Sequence, residues 1–253
     1  AQGEFVMIGG MSAVSLVALG LPLLVAVIGA VLVAVLVGIL LERTAIATAR
    51  GASVTTLIII TIGASIFLRG LATLVWDKRL HPLPAFSGER PIPLGGATLH
   101  PQSLWVLAGA IATFALLAWF FGRTRRGKAM LATSYNPLAA QLAGIDVRRM
   151  LTLAFALSAG LGAIAGILVT PITLTSYDSG VMLGLKGFAA AVLGGLGSGA
   201  GAVAGGLTLG VAEALAAGYV SSAYKDVIAF VLILVVLIAM PGGLIGKRAS
   251  HRV

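Results

Sequence analysis

Residues 5–41 read FVMIGGMSAVSLVALGLPLLVAVIGAVLVAVLVGILL, 37 positions without an Asp, Glu, Lys or Arg. A helix crosses a bilayer with about 20 apolar residues, so this run is too long for one span. Gly20-Leu21-Pro22 divides it, and Pro22 suits a first helical turn. Five more uncharged runs follow, at 51–68, 91–122, 150–177, 187–212 and 227–246, and the six cover 161 of the 253 residues. The 91–122 run opens as a Pro-rich loop, and the 187–212 run holds nine Gly and reads as two short pieces. The expected fold is all-α, a polytopic helical membrane protein in one domain over 1–253. It has about eight hydrophobic segments: 5–19, 22–41, 51–68, 103–122, 151–171, 187–199, 201–217 and 227–246. The shortest read as half-helices or re-entrant pieces, which are stable where protein or a water-filled cavity surrounds them.

Composition agrees. The chain carries 17 basic and 8 acidic residues, 10% charged in all, where a soluble domain has about a quarter. A mean hydropathy of +1.08 excludes disorder. There is no Cys, hence no disulfide framework and no thiolate metal site. The three His (His81, His100, His251) lie in loops or the tail, which argues against a membrane metalloenzyme. In a chain this apolar the net charge of +9 marks the cytoplasmic side of a membrane rather than nucleic-acid binding.

The loops give orientation. Residues 123–149 hold Arg123, Arg125, Arg126, Lys128, Arg148 and Arg149 against the single acid Asp146, so 123–150 is expected to be cytoplasmic. Alternation places 42–50 and 247–253 inside and 69–102 outside, with 11 basic residues in the inner segments and 6 in the outer ones. The outer loop carries five of the nine Pro and reads as an irregular cap. The opening Ala1-Gln2-Gly3-Glu4-Phe5 runs straight into a hydrophobic segment, and an upstream first helix is expected to be missing from this chain.

Several motifs reduce to packing or charge. Gly122-Arg-Thr-Arg-Arg-Gly127-Lys128-Ala129 approaches a phosphate-binding loop but has Ala129 where a hydroxyl would hold Mg²⁺. Gly197-Ser-Gly199-Ala-Gly201 has no strand before it, and Gly201/Gly205 and Gly206/Gly210 are spaced for close helix packing. Such a Gly-rich segment is a poor isolated helix, so Gly194, Gly195 and Gly201 are candidates for a wall of a solute pathway. Glu213 lies inside a hydrophobic segment, where an ionisable group is a functional candidate; its alternative is a plain ion pair near the outer interface, with Lys225. Lys186 and Asp178 flank the Gly-rich segment and are candidates for its entrance.

In the basic loop, Asn136 can cap a helix, Pro137 fits its first turn, and Gly144 can take the left-handed conformation that ends it. Leu138 and Leu142 share one face of this helix of about two turns, roughly 10 Å long. It suits docking into a partner's groove, or lying on the chain's own surface. Gly9-Gly10 and Gly194-Gly195 recur in short early and late segments, a weak internal symmetry.

Taken together, Gly127 to Arg149, Leu185 to Ser198, Gly205 to Glu213 and Tyr224 to Leu244 resemble the permease family of ABC importers for branched-chain amino acids, in particular its H-type subunit. Ala1-Gln2-Gly3-Glu4 resembles the end of an Asn-Phe-Ala-His-Gly-Glu stretch of that family, with Gln2 in place of His, while Leu131 and residues 46–50 depart from its pattern. The resemblance implies alternating access and a coupling helix built from Asn136, Pro137, Ala140, Gly144 and Ile145. It implies a multi-pass protein of a bacterial-type cytoplasmic membrane, in contact with lipid, that is a transport subunit and not an enzyme. Implied partners are two ATPase subunits that bind ATP and Mg²⁺, a second related permease and an extracytoplasmic solute-binding protein, with no cofactor in this chain. The family also includes importers of urea and short amides. The rival from another class is an ion-coupled transporter, which needs more mid-span ionisable groups than Glu213 alone.

Overall fold

The structure, a computed structural model, describes residues 2–49, 52–88, 90–94 and 97–219, with 221, 227, 230, 231, 234–236, 238 and 243 beyond them. Its described helices are α1 (Gln2–Ala18), α2 (Leu23–Leu41), α3 (Val54–Trp76), α4 (Pro101–Arg123), α5 (Arg125–Tyr135), α6 (Pro137–Leu142), α7 (Val147–Thr173), α8 (Ser179–Gly194) and α9 (Gly199–Tyr219). Among the described residues five stretches are long and apolar enough to cross a membrane: Leu23–Ala49, Thr55–Trp76, Pro101–Arg123, Val147–Thr173 and Gly199–Tyr219. α1 and α8 are shorter apolar helices. The expected segment 227–246 lies mostly outside the described residues. The chain, read as one domain, divides into two compact units, Ala1–Leu183 and Gly184–Val253.

In the first unit α1, α2 and α7 pack on one another. α2 is apolar all round, so polarity cannot choose its packed face; residue size does. Ala26, Ala30, Ala34 and Gly38, four apart, are buried, while Leu24, Ile28, Leu32, Leu36 and Leu40 on the opposite face are exposed. This is the pattern of a lipid-facing helix, since lipid is as apolar as Leu and small residues let backbones approach. On α7, Ala159, Gly160, Ala163 and Gly166 form the matching stripe. A Cβ at Gly166 would strike the Val6 carbonyl, and one at Gly9 the Ala163 backbone.

Two boundaries differ from expectation, for one reason. The 51–68 segment was ended at Arg69, but α3 continues through Arg69 to Trp76, so the connection expected outside is 77–100 rather than 69–102. The 187–199 segment was begun after Lys186, but α8 starts at Ser179, runs through Lys186 and stops at Gly194. Both cations are inside helices because each faces an acid: Arg69 faces Glu4 and Lys186 faces Glu213. A charge met by its counter-charge does not end a span.

The connection between α3 and α4 is tied down. It contains a hairpin, β1 (Ile92–Leu94) against β2 (Ala97–Leu99), in register Ile92↔Leu99, a small departure from an all-α chain. His81 exchanges backbone bonds with Thr175 (2.8 and 3.1 Å). Gln102 accepts from the Phe86 N–H (3.2 Å) and donates to the Leu168 carbonyl (2.9 Å). Asp77, just past α3, accepts from the Arg79 N–H (2.6 Å); that bond, with His81 beside it, holds its carboxyl below the usual range.

Candidate functional site

In the basic loop between α4 and α7, Thr124 caps α5: its hydroxyl accepts from the Gly127 N–H (3.0 Å) and donates to the Phe120 carbonyl (2.7 Å). Gly127 has no side chain because a Cβ there would enter the Phe120 carbonyl. That turn is the structural reason for the glycine that gave the loop its nucleotide-binding look. α5 itself, eleven residues long, was read as loop.

Asn136 caps α6 through Oδ1, which accepts from the Ala139 N–H (3.1 Å), and Pro137 takes the first helical position. Gly144 ends it at φ +80°, with its N–H donating to the Gln141 carbonyl (2.9 Å) and the Ile145 N–H to the Ala140 carbonyl (3.0 Å). Asp146 then caps α7 by accepting from the Arg149 N–H (3.1 Å). The five loop residues therefore form one local unit, but they do not share one surface. Ala140 is 4% exposed and turned into the chain, and Ile145 is half-buried. The outward face is Leu138 (73% exposed) and Leu142 (92%), with Tyr135 beside them on α5 (87%). Together these three side chains form an exposed apolar face on the basic loop.

In the second unit, α8 and α9 form a tight antiparallel pair. Gly195 (φ +102°) and Gly197 (φ +91°) make the turn, and Ser198 Oγ accepts from the Gly201 N–H (3.0 Å). A Cβ at Gly194 would enter the Gly201 backbone, and one at Gly205 the Ala190 carbonyl. Gly201/Gly205 thus do what their spacing predicted. Gly206 has only Ala190 Cβ at 4.0 Å, and Gly210 has nothing within 4 Å among the described residues, so this second pair is not part of the crossing. Two candidates drawn separately from the sequence meet here: Lys186 Nζ donates to Glu213 Oε2 at 3.0 Å, each side chain 20% exposed. The other oxygen, Glu213 Oε1, is buried without a hydrogen bond among the described residues. Lys225, the alternative partner, lies outside the described residues.

Sequence reasoning passed over two further acids. Glu4 on α1 is 2% exposed; its Oε1 accepts from the Ser65 hydroxyl (2.6 Å) and lies 3.4 Å from Arg69 Nε. Glu42, at the end of α2, is 1% exposed and its Oε2 accepts from the Thr152 hydroxyl of α7 (2.8 Å). The signal for Glu4 was the apolar stretch Gly70–Trp76 beyond Arg69, which makes Arg69 intramembrane and calls for an anion. Among the described residues no three His, Asp or Glu gather as a metal site.

A family model described as "Branched-chain amino acid transport system / permease component" matches residues 1–237. The chain belongs to this permease family. It is 36% identical over 270 residues to the high-affinity branched-chain amino acid transport system permease protein LivH of Salmonella typhimurium, and equally to LivH of Escherichia coli K12. It is 32% identical over 269 residues to the corresponding permease protein BraD of Pseudomonas aeruginosa. Each alignment covers 100% of this chain and 87% of the relative. No solved structure matches.

Proposed function

We propose that this chain is the membrane permease subunit of an ATP-driven importer of branched-chain or closely related amino acids, a multi-pass protein of the inner membrane. The observation that carries the reading is the family match over 1–237, joined by full-length identity to LivH and BraD. The relatives are transport permeases, and this chain takes the same non-enzymatic role. ATP and Mg²⁺ are bound by two separate ATPase subunits docked on the cytoplasmic side. A second, related permease completes the pathway, and a binding protein delivers the solute from outside.

In this reading α6 is the coupling element. Leu138 and Leu142 seat in a groove of an ATPase subunit, while Asn136, Pro137 and Gly144 fix the helix ends so that ATP-driven closure moves it as one piece. The buried Ala140 and half-buried Ile145 join it to the membrane helices and carry the motion inward. The Gly194–Gly201 crossing and the Lys186–Glu213 pair contribute to the wall of the pathway.

The test is reconstitution. The two permeases and two ATPases are co-purified into proteoliposomes with the binding protein, and uptake of labelled L-leucine is followed. Uptake that requires ATP and the binding protein supports the reading. Leucine uptake driven by a proton or sodium gradient without ATP would replace it with a secondary transporter, and uptake of urea or acetamide in place of leucine would change the solute class.

A further inference from the structure

The polar cluster at Glu4 has no place in the coupling scheme, and its depth in the membrane gives it one in the transport path. Glu4 bonds Ser65, and Ser15 accepts from Trp76 Nε1 (2.5 Å); both pairs are 61 residues apart. α1 and α3 are therefore parallel and in step. Ser65 is the central residue of the 23-residue α3, with eleven residues on either side. At 1.5 Å per residue α3 is about 34 Å long, close to the roughly 30 Å of a bilayer core. Glu4, Ser65 and, one turn on, Arg69 thus lie near the bilayer midplane.

A break in the helices leads down to this depth from the end of α7, where Thr175 pairs with His81. α7 ends at Leu174, which takes φ 61° and ψ 170°, a conformation nearly confined to glycine. The chain then runs back along α1: Thr175 lies beside Gly10, and Gly180 against the backbone of Gly3 and Glu4. Residues 174–178 are non-helical, with Ser176 Oγ donating to Asp178 Oδ1 (2.6 Å) and the Ser176 N–H to Ser179 Oγ (2.9 Å). Non-helical backbone at membrane depth is tolerated where it is buried in protein or lines a cavity, and broken helices near the midplane are where transporters hold solute.

The cluster itself is incomplete. Glu4 is almost wholly buried, yet among the described residues Oε2 has no hydrogen-bond partner, and neither has Arg69 Nε, which lies 3.4 Å from Oε1 as an ion pair without making a hydrogen bond. Each orphaned buried polar atom costs free energy until something answers it. An orphaned carboxylate oxygen and an orphaned guanidinium N–H side by side are complementary to a molecule that carries both an ammonium and a carboxylate. Leu68 and Tyr177, partly buried on the core beside Phe5, supply apolar surface next to the charges.

We propose that Glu4 and Arg69, with Ser65, form a midplane binding site for the head group of a zwitterionic α-amino acid, Glu4 taking the ammonium and Arg69 the carboxylate, with the broken segment 174–178 leading to it. The inference rests on the amino-acid import reading and adds where the solute is held.

The experiment uses the complete reconstituted importer with saturating binding protein and labelled L-leucine. Glu4→Gln, Arg69→Gln and the double variant Glu4→Gln/Arg69→Gln are compared, with complex yield and unfolding midpoint as folding controls. All three are expected to lose at least tenfold in leucine uptake, the double variant with a normal yield. Arg69→Lys, which keeps the charge but not the planar fork, is expected to raise KM more than it lowers kcat. A pair that merely holds α1 to α3 behaves otherwise: removing both charges leaves none unanswered, and the double variant recovers wild-type uptake. That recovery overturns the inference and leaves the import reading intact. A wild-type complex that hydrolyses ATP but takes up no leucine overturns both.

Discussion

Glu213 and Lys186 are each one-fifth exposed, between the surface case and the sealed one. A surface pair contributes about 0–1 kcal/mol, and breaking a buried pair by removing one partner costs about 3–5 kcal/mol. Glu213→Gln is therefore expected to destabilise the complex by about 1–3 kcal/mol, read as a lower unfolding midpoint in detergent. If the pair also lines the pathway, leucine uptake per folded complex falls; uptake per folded complex equal to wild type removes it from the pathway wall. The glycines separate as sharply. Gly201→Leu drives a side chain into the Gly194 backbone, and overpacking of this kind costs about 1–3 kcal/mol or more. Gly210→Leu meets nothing within 4 Å among the described residues and gains about 1 kcal/mol of helix propensity. Gly201→Leu should cut complex yield and Gly210→Leu should not; equal yields would deny that α8 and α9 cross where the structure has them. Gly195 belongs with neither, since at φ +102° any side chain is strained whatever the space around it.

Helix α6 was legible to the residue because its signals are local. Asn136 caps, Pro137 opens and Gly144 closes, and none of these needs knowledge of the rest of the chain. Which face points outward is a tertiary fact that these local signals do not carry: small Ala140 is the buried residue and large Leu138 and Leu142 are the exposed ones. α5 went unseen because its sequence RRGKAMLATSY opens with a basic cluster, which opposes the helix dipole and reads as loop. The outward face decides the test of coupling. Ala140→Trp would disturb the chain's own packing. Leu138→Asp/Leu142→Asp leaves the caps and the buried face untouched and removes only the outward apolar surface. This variant is expected to insert and assemble normally in the absence of nucleotide while leucine-stimulated ATPase activity falls at least tenfold. Stimulation at the wild-type level would remove α6 from the coupling path.

At the scale of the molecule, the uncharged runs located the helices because the bilayer requires apolar length, and they misplaced two ends because they treated every charge as a loop. The correction bears on topology. Of the six basic residues assigned to the outer side, Arg69 and Lys186 sit within helices facing Glu4 and Glu213. By that assignment Lys78, Arg79, Arg90 and Lys225 remain for the outer loops, four against the eleven of the inner segments. Charges bound within spans do not act as loop charges, so the positive-inside asymmetry is steeper than a count over the sequence suggests. The pair α1 and α3 also run in the same direction, which ties the end of α1 at Ala18 to the same side as Trp76. The chain has no Cys, so single cysteines report without background. Lys78→Cys, on the exposed outer connection, is expected to react with an impermeant maleimide in intact cells. Ser134→Cys, exposed on α5, is expected to react only after permeabilisation. The opposite result at both positions would invert the protein in the membrane and place Leu138 and Leu142 where no ATPase could reach them.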